Sequence, residues 1–323
     1  MGVAAKPKRA TSMLDNPIPW PGGNRCAVSI TWDVDADSGL NYYNQDKADN
    51  LVASQSQTRY DPLIAVPRLV KLLHRLDMRQ TFFFPGWCIE KYPAAVDMLL
   101  KERHEIALHG YLHERPNEVS AKDELYWLQR AIDAFERHVG KRPVGWRAPS
   151  FAFSKHSLAY LIGEKFIYDS SLMGDEIPYR LRHETGTMLE LPVDWTLDDW
   201  PHYMHNRDFR FTMPISSPAR AMEVFRAEFD AAWRHGAMWI SIWHPFVSGR
   251  LSRLDAVVEL IAHMRRKGSV WFAPLADIAR HVESLIASGK WHPREERLPL
   301  YESPIPEFEK VALLKRRSAG KRA

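Results

Sequence analysis

Short apolar runs alternate with longer stretches of helical period along most of this 323-residue chain. The alternation is typical of β-α units around a parallel sheet or barrel, because each crossover between parallel strands needs a helix. The predicted strands are residues 27–32, 80–85, 105–109, 144–147, 188–193, 238–243 and 270–273. The predicted helices are residues 61–76, 93–102, 121–139, 154–164, 218–234 and 253–266. The fold class is therefore predicted as α/β, a (β/α) barrel of about seven parallel strands.

Two stretches fall outside this alternation. Residues 33–60 form a polar segment that is long for a connection between a strand and a helix. Prolines after Gly289 indicate an extended arm that runs into a basic tail. No repeat or linker divides the chain, so we predict an N-terminal segment at 1–25, one barrel domain at 26–288, and an arm with its tail at 289–323.

Charge and composition argue against two classes of partner. The net charge of +4 is exceeded by eight basic residues near the chain ends: Lys6, Lys8, Arg9, Lys315, Arg316, Arg317, Lys321 and Arg322. The body is therefore net negative, which argues against a nucleic-acid groove. No run approaches the roughly 20 apolar residues of a membrane span, and no signal-peptide core is found. With two cysteines only, we expect a cytoplasmic protein without a membrane partner.

Carboxylates end the first predicted strand. An apolar run stops at Trp32 and is followed by Asp33, Asp35 and Asp37. Close carboxylates repel one another unless a cation or a shared proton compensates them, so the cluster is a candidate metal or acid–base site. A solvated loop entrance would explain the same residues.

A histidine pair ends the third predicted strand. His109 and His113 are expected to lie on one face of a helical turn, able to chelate one metal ion. Such a pair is common by chance in a chain with 14 histidines. Its position favours function, because parallel α/β folds place reactive groups at the carboxyl ends of strands. With Asp35, the pair completes a three-ligand set that leaves room for water and substrate.

Three more strand ends carry reactive side chains. Arg147 ends the fourth predicted strand and His244 follows the sixth. Taken alone, Arg147 is equally explained as a surface ion-pair partner and His244 as a core histidine. The segment after the fifth strand contains Asp194, Trp195, Asp198, Asp199 and Trp200. Packing alone does not place Asp, His, Arg, Asp and His at five of the seven predicted strand ends, so we interpret them as one catalytic centre.

These five segments, in this order, resemble the motifs of the polysaccharide deacetylase (NodB-homology) family, carbohydrate esterase family 4. The resemblance covers residues 27–275 and implies a distorted (β/α) barrel of NodB type that removes acetyl groups with a divalent metal. It implies that Asp35, His109 and His113 bind the metal. It also implies that Asp33 is the catalytic base.

The same resemblance assigns roles to the remaining strand ends. It implies that Arg147 orients the base and that His244 is the general acid. Asp199 resembles the carboxylate that tunes this acid, with Asp194 and Asp198 as alternatives.

The sequence departs from the common family pattern in two motifs. Val34 separates the two acids of the first motif, and Ser150 replaces an aromatic residue in the third. These departures are more similar to an intracellular branch with peptidoglycan deacetylases and with relatives acting on cyclic imides or allantoin. Two substrate classes therefore stay open, an N-acetylated amino sugar and a cyclic imide or ureide.

The interpretation that follows is a metal-dependent hydrolase of non-peptide amide C–N bonds in a small amide, imide or amino-sugar substrate. Zinc is the expected metal, and the same ligands accept cobalt, nickel, manganese or iron. The side chains expected to contact substrate are Tyr111, Trp195, Trp200 and Phe246. We expect residues 37–60 and the arm to border the mouth of the site. A homo-oligomer is expected because apolar arm residues such as Trp291 and Phe308 need a surface to cover.

Two other function classes fit parts of the pattern. A glycosidase would use paired carboxylates such as Asp33 and Asp199, and it would need no metal. A non-catalytic carbohydrate-binding protein could keep the same fold and motifs without turnover. Sensitivity to a chelator separates the glycosidase from the metal-dependent hydrolase.

Overall fold

The strands of the computed structural model form one sheet within residues 12–301, the range that the structure describes. They are β1 Cys26–Asp33, β2 Thr81–Phe84, β3 Glu105–Leu108, β4 Gly145–Trp146, β5 Tyr168–Asp169, β6 Tyr179–His183, β7 Gly186–Glu190, β8 Met238–Trp243, β9 Val270–Phe272 and β10 Glu295–Arg297. All seven predicted strands are present, with ends that differ by a few residues. The basic ends of the chain and Phe308 lie outside the described residues.

Helices connect and cover these strands. They are α1 Ser38–Tyr43, α2 Val52–Thr58, α3 Val66–Arg75, α4 Gly86–Lys91, α5 Pro93–Lys101, α6 Ala121–Val139, α7 Ser157–Gly163, α8 Trp200–Tyr203, α9 Pro218–His235, α10 Pro245–Ser248, α11 Leu251–Lys267 and α12 Leu275–Ala287. A π-helical turn, Asp61–Ala65, leads into α3. Within the described part of the chain, no helix combines the length and apolarity that crossing a membrane requires.

Strand β1 is buried along its whole length and pairs with three other strands. It pairs in parallel with β8 on one side, and with β9 and then β2 on the other. The sheet continues in parallel through β3, β4, β5 and β7. Beyond β7, Asp198 forms a parallel bridge with Ile242 of β8. This bridge closes the sheet into a distorted barrel, which confirms the predicted fold class.

The structure adds strands that the sequence pattern did not predict. Strand β5 has two residues, too few to show a period of two. Strand β6 runs antiparallel to β7 as a hairpin, and β10 pairs with β6 at the far edge of the sheet. The ten strands of residues 12–301 therefore exceed the predicted seven. Helix α12 was also not predicted, although its apolar residues do recur at helical spacing and form a buried face.

Residues 37–60, part of the long polar connection, contain the helices α1 and α2, which the sequence pattern did not predict. Polar contacts to a distant segment hold these helices. Ser54 Oγ donates to Asp208 Oδ2 at 2.6 Å, and Asn206 Nδ2 donates to Gln57 Oε1 at 2.8 Å. We call residues 38–58 and 204–213 together the cap. Hydrogen bonds between distant segments stabilise the cap, so its helices do not depend on an apolar face. The sequence therefore shows no apolar period there.

Gly145 of β4 lies against the ring of Tyr168 on the neighbouring strand. An added Cβ at Gly145 would lie 2.1 Å from the Tyr168 Cζ and Oη atoms. Because such overlap forces the strands apart, we expect Gly145→Ala to lower the free energy of unfolding by about 1–3 kcal/mol. Gly163 of α7 is the matched control, since a Cβ there meets no atom within 4 Å. Chemical denaturation of both variants tests this; equal stability of Gly145→Ala and wild type would contradict it.

Candidate active site at the carboxyl end of the barrel

Asp35, His109 and His113 converge where β1 and β3 end. His113 Nε2 lies 3.3 Å from Asp35 Oδ2, and His109 Nε2 lies 3.6 Å from Asp35 Oδ1. One ligand atom from each residue lies within 4.8 Å of the other two. Ligands about 2.0–2.2 Å from one zinc ion would be separated by roughly 3–4 Å. The spacing therefore suits a single divalent ion.

The donor atoms of this cluster also fit a metal chemically. His109 Nδ1 is 2.8 Å from the carbonyl oxygen of Arg147, to which it donates, so Nε2 presents a lone pair to Asp35. Asp35 Oδ1 is buried and has no hydrogen-bond partner in the described part of the chain. Burial raises the pKa of Asp35, but His113, His109 and His244 outweigh it and hold that pKa well below its ordinary value. An ionised carboxylate beside two imidazoles is a zinc-type ligand set.

The residues between the two histidines form a tight turn and not the predicted helical turn. Gly110 and His113 have positive φ angles of 70° and 62°. The Glu114 carboxylate accepts hydrogen bonds from the backbone N–H groups of Tyr111 and Leu112, at 2.9 Å and 2.7 Å. This buried acceptor compensates the left-handed backbone at His113, which non-glycine residues rarely adopt. The imidazoles thus converge through a turn closed by Glu114, a residue that the sequence analysis did not single out.

Asp33 lies beside the metal-type cluster and has a different partner. Its Oδ1 accepts a hydrogen bond from Arg147 Nη1 at 2.7 Å, while its Oδ2 is 3.8 Å from His109 Nε2. Arg147 is fully buried, and its remaining donors reach Thr31 Oγ1 and both oxygens of Ser170. Asp33 also lines the cavity of the site. The ion pair therefore fixes one carboxylate oxygen and leaves the other available.

His244 approaches the cluster from the end of β8. Its Nδ1 lies 2.7 Å from Asp199 Oδ1, and its backbone N–H donates to Asp199 Oδ2 at 3.0 Å. Its Nε2 lies 3.5 Å from Asp35 Oδ2. Burial lowers the pKa of His244, but contact with Asp199 outweighs it and raises the pKa well above the ordinary value. Asp199 therefore fixes the ring so that a protonated Nε2 faces the cavity.

Asp194 and Asp198, the alternative partners of His244, are placed differently. Asp194 accepts a hydrogen bond from the backbone N–H of Thr196 at 2.7 Å, and it is exposed. Asp198 accepts from the Trp200 N–H at 2.7 Å and is 4.0 Å from His244 Nδ1. Burial raises the pKa of Asp198 to about 7. The geometry brings Asp199, and not its neighbours, into direct hydrogen bonding with His244.

Asp61 was not among the predicted site residues, yet it joins two of the site loops. Its Oδ2 accepts from the Ala36 N–H at 2.9 Å, and its Oδ1 accepts from the Phe246 N–H. It is fully buried, and burial raises the pKa of its carboxyl group well above the ordinary value. In the sequence, Asp61 precedes Pro62 at the start of a predicted helix, where an acidic residue is typical. No sequence signal separated it from a helix cap.

A cavity of about 200 Å³ opens over Asp35, His109, His113, Asp33 and His244. Its wall is largely aromatic: Tyr43, Phe151, Trp195, Trp200, Phe209, Phe211 and Phe246. Three of the predicted substrate-contact residues, Trp195, Trp200 and Phe246, are in this wall. The cap contributes Gly39 and Tyr43 from its first part, and Phe209 and Phe211 from its second.

Two groups of residues that were expected at the cavity lie elsewhere in the described part of the chain. Tyr111 lies outside it, because its ring stacks on Trp127 at 5.5 Å and its hydroxyl donates to Glu90 at 2.7 Å. The described part of the arm, 289–301, does not line the cavity either. Strand β10 pairs at the far edge of the sheet, and the buried Trp291 indole donates to the Asn16 carbonyl at 3.1 Å. The surface that covers the arm residue Trp291 thus includes the chain's own N-terminal segment.

Comparison with known proteins gives a consistent result. A polysaccharide deacetylase family model matches residues 61–162. The crystal structure of a "putative polysaccharide deacetylase" from Mycobacterium smegmatis is 38% identical, with a TM-score of 0.82; the match covers 92% of this chain and 100% of that one. A peptidoglycan deacetylase from Helicobacter pylori is 28% identical over 281 residues, which cover 78% of this chain and 94% of that protein.

A further solved structure resembles this chain in fold. The PuuE allantoinase structure has a TM-score of 0.73 at 23% identity, covering 84% of this chain and 95% of that one. At that identity the likeness concerns the barrel alone.

The convergence of the three ligands predicts how zinc binding responds to substitution. His109→Ala and His113→Ala should each lower zinc affinity by more than the 10- to 100-fold that loss of an outer partner typically costs. Asp33→Asn should keep the bound zinc, because Arg147 and not the metal holds Asp33 Oδ1. His205→Ala is the control, since His205 is an exposed residue of the cap. Titration calorimetry with elemental analysis measures this; unchanged affinity in both ligand variants would exclude the site.

Proposed function

Because the chain belongs to the polysaccharide deacetylase family, we propose that it is a metal-dependent hydrolase of non-peptide amide C–N bonds. One observation carries the proposal. The ligand set Asp35, His109 and His113 lies in the same cavity as Asp33 and His244, so a base and an acid border the place where a metal would bind. A divalent ion held there supplies Lewis acidity, which polarises an acyl oxygen and makes a bound water easier to deprotonate.

Asp33 is suited to the role of base. Its Oδ1 is held by the buried guanidinium of Arg147, so its Oδ2 is the oxygen that can take a proton from water. The same contact orients the carboxylate toward the cavity and restricts its rotation. We infer that Arg147 is a positioning residue, since its donors are directed to Asp33, Thr31 and Ser170.

His244 is suited to the role of acid. Its Nδ1 is hydrogen bonded to Asp199, which leaves the proton on Nε2 as the one that can reach a departing nitrogen. Amide cleavage needs this proton, because a nitrogen anion is a poor leaving group. Asp33 and His244 thus divide the chemistry into proton removal from water and proton delivery to the amine.

Small substrates fit this cavity better than polymers do. Its volume of about 200 Å³ is below the ~300–1,000 Å³ that is common for drug-sized ligands. The cap covers one side of it with Tyr43, Phe209 and Phe211. We therefore propose as substrate a small N-acylated amine, such as one acetylated amino sugar. A cyclic imide or ureide is the second candidate, because the aromatic wall suits a planar ring.

Activity assays on the purified protein test the proposal. With zinc or cobalt restored after EDTA treatment, we expect hydrolysis of N-acetylglucosamine or of succinimide, and none in the metal-free protein. Asp33→Asn should lower kcat by about 10²–10⁴-fold while bound zinc stays unchanged. Full activity of a protein shown by elemental analysis to be metal-free would contradict the mechanism.

The same assay distinguishes the remaining alternatives. A chitin oligomer should be a poorer substrate than the small amides, since the cap restricts the cavity. Clear preference for the oligomer would show that the cavity works as an open groove. Tight binding of a sugar without turnover, in protein with a full complement of zinc, would identify a non-catalytic binding protein.

A further inference from the structure

Two carboxyl groups that the proposed chemistry does not use lie side by side next to the site. Asp169 ends β5 and Glu190 ends β7, and these residues are paired in register across the two parallel strands. Both are fully buried, with 0% of their surface exposed. Neither lines the cavity described above.

One oxygen of each group has conventional partners. Asp169 Oδ1 accepts a hydrogen bond from Ser171 Oγ at 2.6 Å. Glu190 Oε1 accepts from the backbone N–H groups of Ser171 and Leu172, at 3.1 Å and 3.0 Å. The other two oxygens, Asp169 Oδ2 and Glu190 Oε2, are buried and receive no N–H or O–H from residues 12–301. Because residues paired in register on adjacent parallel strands point to the same face of the sheet, these two unpartnered oxygens lie on the same side of it.

Two neighbouring ionised carboxylates cannot both be buried without compensation. The ionisable groups that face the pair from the adjacent strands are Arg147 and Tyr179. Arg147 directs its donors to Asp33, Thr31 and Ser170. Burial, reinforced by the two carboxylates, raises the pKa of Tyr179, so this phenol stays neutral. Burial likewise raises the pKa of both carboxyl groups, and Asp169 raises that of Glu190 further.

The pair is connected to the active site through a turn of three residues, Ser170–Leu172. Ser171 Oγ donates to Asp169 and accepts from the Ala148 N–H at 2.8 Å. Ser170 accepts two hydrogen bonds from Arg147, from Nε at 3.0 Å and from Nη2 at 3.1 Å. The turn therefore holds Arg147 on one side while Asp33 holds it on the other.

We propose that Asp169 and Glu190 share one proton, and that this bridged pair positions Arg147 and, through it, Asp33. The shared proton is a property of the fold alone. The effect on Asp33 rests on the proposed function. Glu190 and Asp169 are positioning residues, because they reach the reacting groups only through the turn and Arg147.

The pH dependence of unfolding tests the shared proton without any assay of activity. Above the ordinary carboxyl pKa the unfolded chain releases this proton, while the folded pair keeps it. Stability is therefore lost as the pH rises from the ordinary pKa toward the raised folded one. Glu190→Gln places an amide N–H toward Asp169 and needs no proton. As the pH rises above 5, wild type should therefore lose stability relative to this variant, with a slope of up to one proton.

The control for this measurement is a variant that lacks an exposed carboxyl group. Glu223→Gln removes an exposed carboxyl group on α9, and its curve should parallel that of wild type. If the Glu190→Gln curve also parallels wild type, the pair does not hold a proton and the proposal fails.

Comparison of a conservative with a disruptive substitution tests the positioning role. Glu190→Gln keeps an N–H donor toward Asp169, whereas Glu190→Leu keeps the side-chain volume and leaves Asp169 Oδ2 without a donor. We expect Glu190→Leu to lower kcat at least tenfold, with KM and zinc content unchanged, and Glu190→Gln to keep kcat close to that of wild type. Equal kcat values in the two variants would show that the pair does not position Arg147. If no amide is hydrolysed by wild type, the proposed function fails, and the unfolding curves still decide whether the proton is shared.

Discussion

The hydrogen bonds of the buried Arg147 guanidinium are the interactions on which the site depends. It is fully buried and donates to Asp33, Thr31 and Ser170, and its own carbonyl accepts from His109. Three strand ends, β1, β3 and β5, are thereby tied to the end of β4. Removing a charge of this kind from water costs several kcal/mol unless its donors are satisfied, and here they are. The same contacts that offset that cost fix Asp33, the proposed base, and His109, a candidate metal ligand.

The carboxyl groups around the site differ from one another because each has different interaction partners. Asp35 faces three imidazoles, and they hold its pKa well below the ordinary value despite burial. Asp61 accepts backbone N–H groups, and burial raises its pKa well above the ordinary value. Asp199 is hydrogen bonded to His244. One end of the barrel thus brings together a carboxylate held ionised by imidazoles, a buried acceptor of backbone N–H groups and the hydrogen-bond partner of His244.

The sequence predicted the fold and the central residues because strand ends and reactive groups coincide in this chain. Asp33, Asp35, His109, Arg147 and His244 all follow buried runs whose apolar character is visible in the sequence. The cap was not predicted, because hydrogen bonds such as Ser54 to Asp208 hold it in place of an apolar face. Tyr111 lies outside the cavity because Gly110 has a positive φ and the Glu114 side chain accepts the backbone N–H of Tyr111, a local turn whose geometry the residue pattern does not show.

Anomalous diffraction from crystals of the zinc-loaded protein, recorded at the zinc absorption edge, tests the central claim most directly. The account predicts one strong peak about 2.0–2.2 Å from the Asp35 carboxylate and from Nε2 of both His109 and His113. Asp198, Asp199 and His244 form a second cluster of possible ligand atoms in the described residues. A peak at that cluster, or no peak at all, would contradict the assignment of Asp35, His109 and His113 as the metal centre.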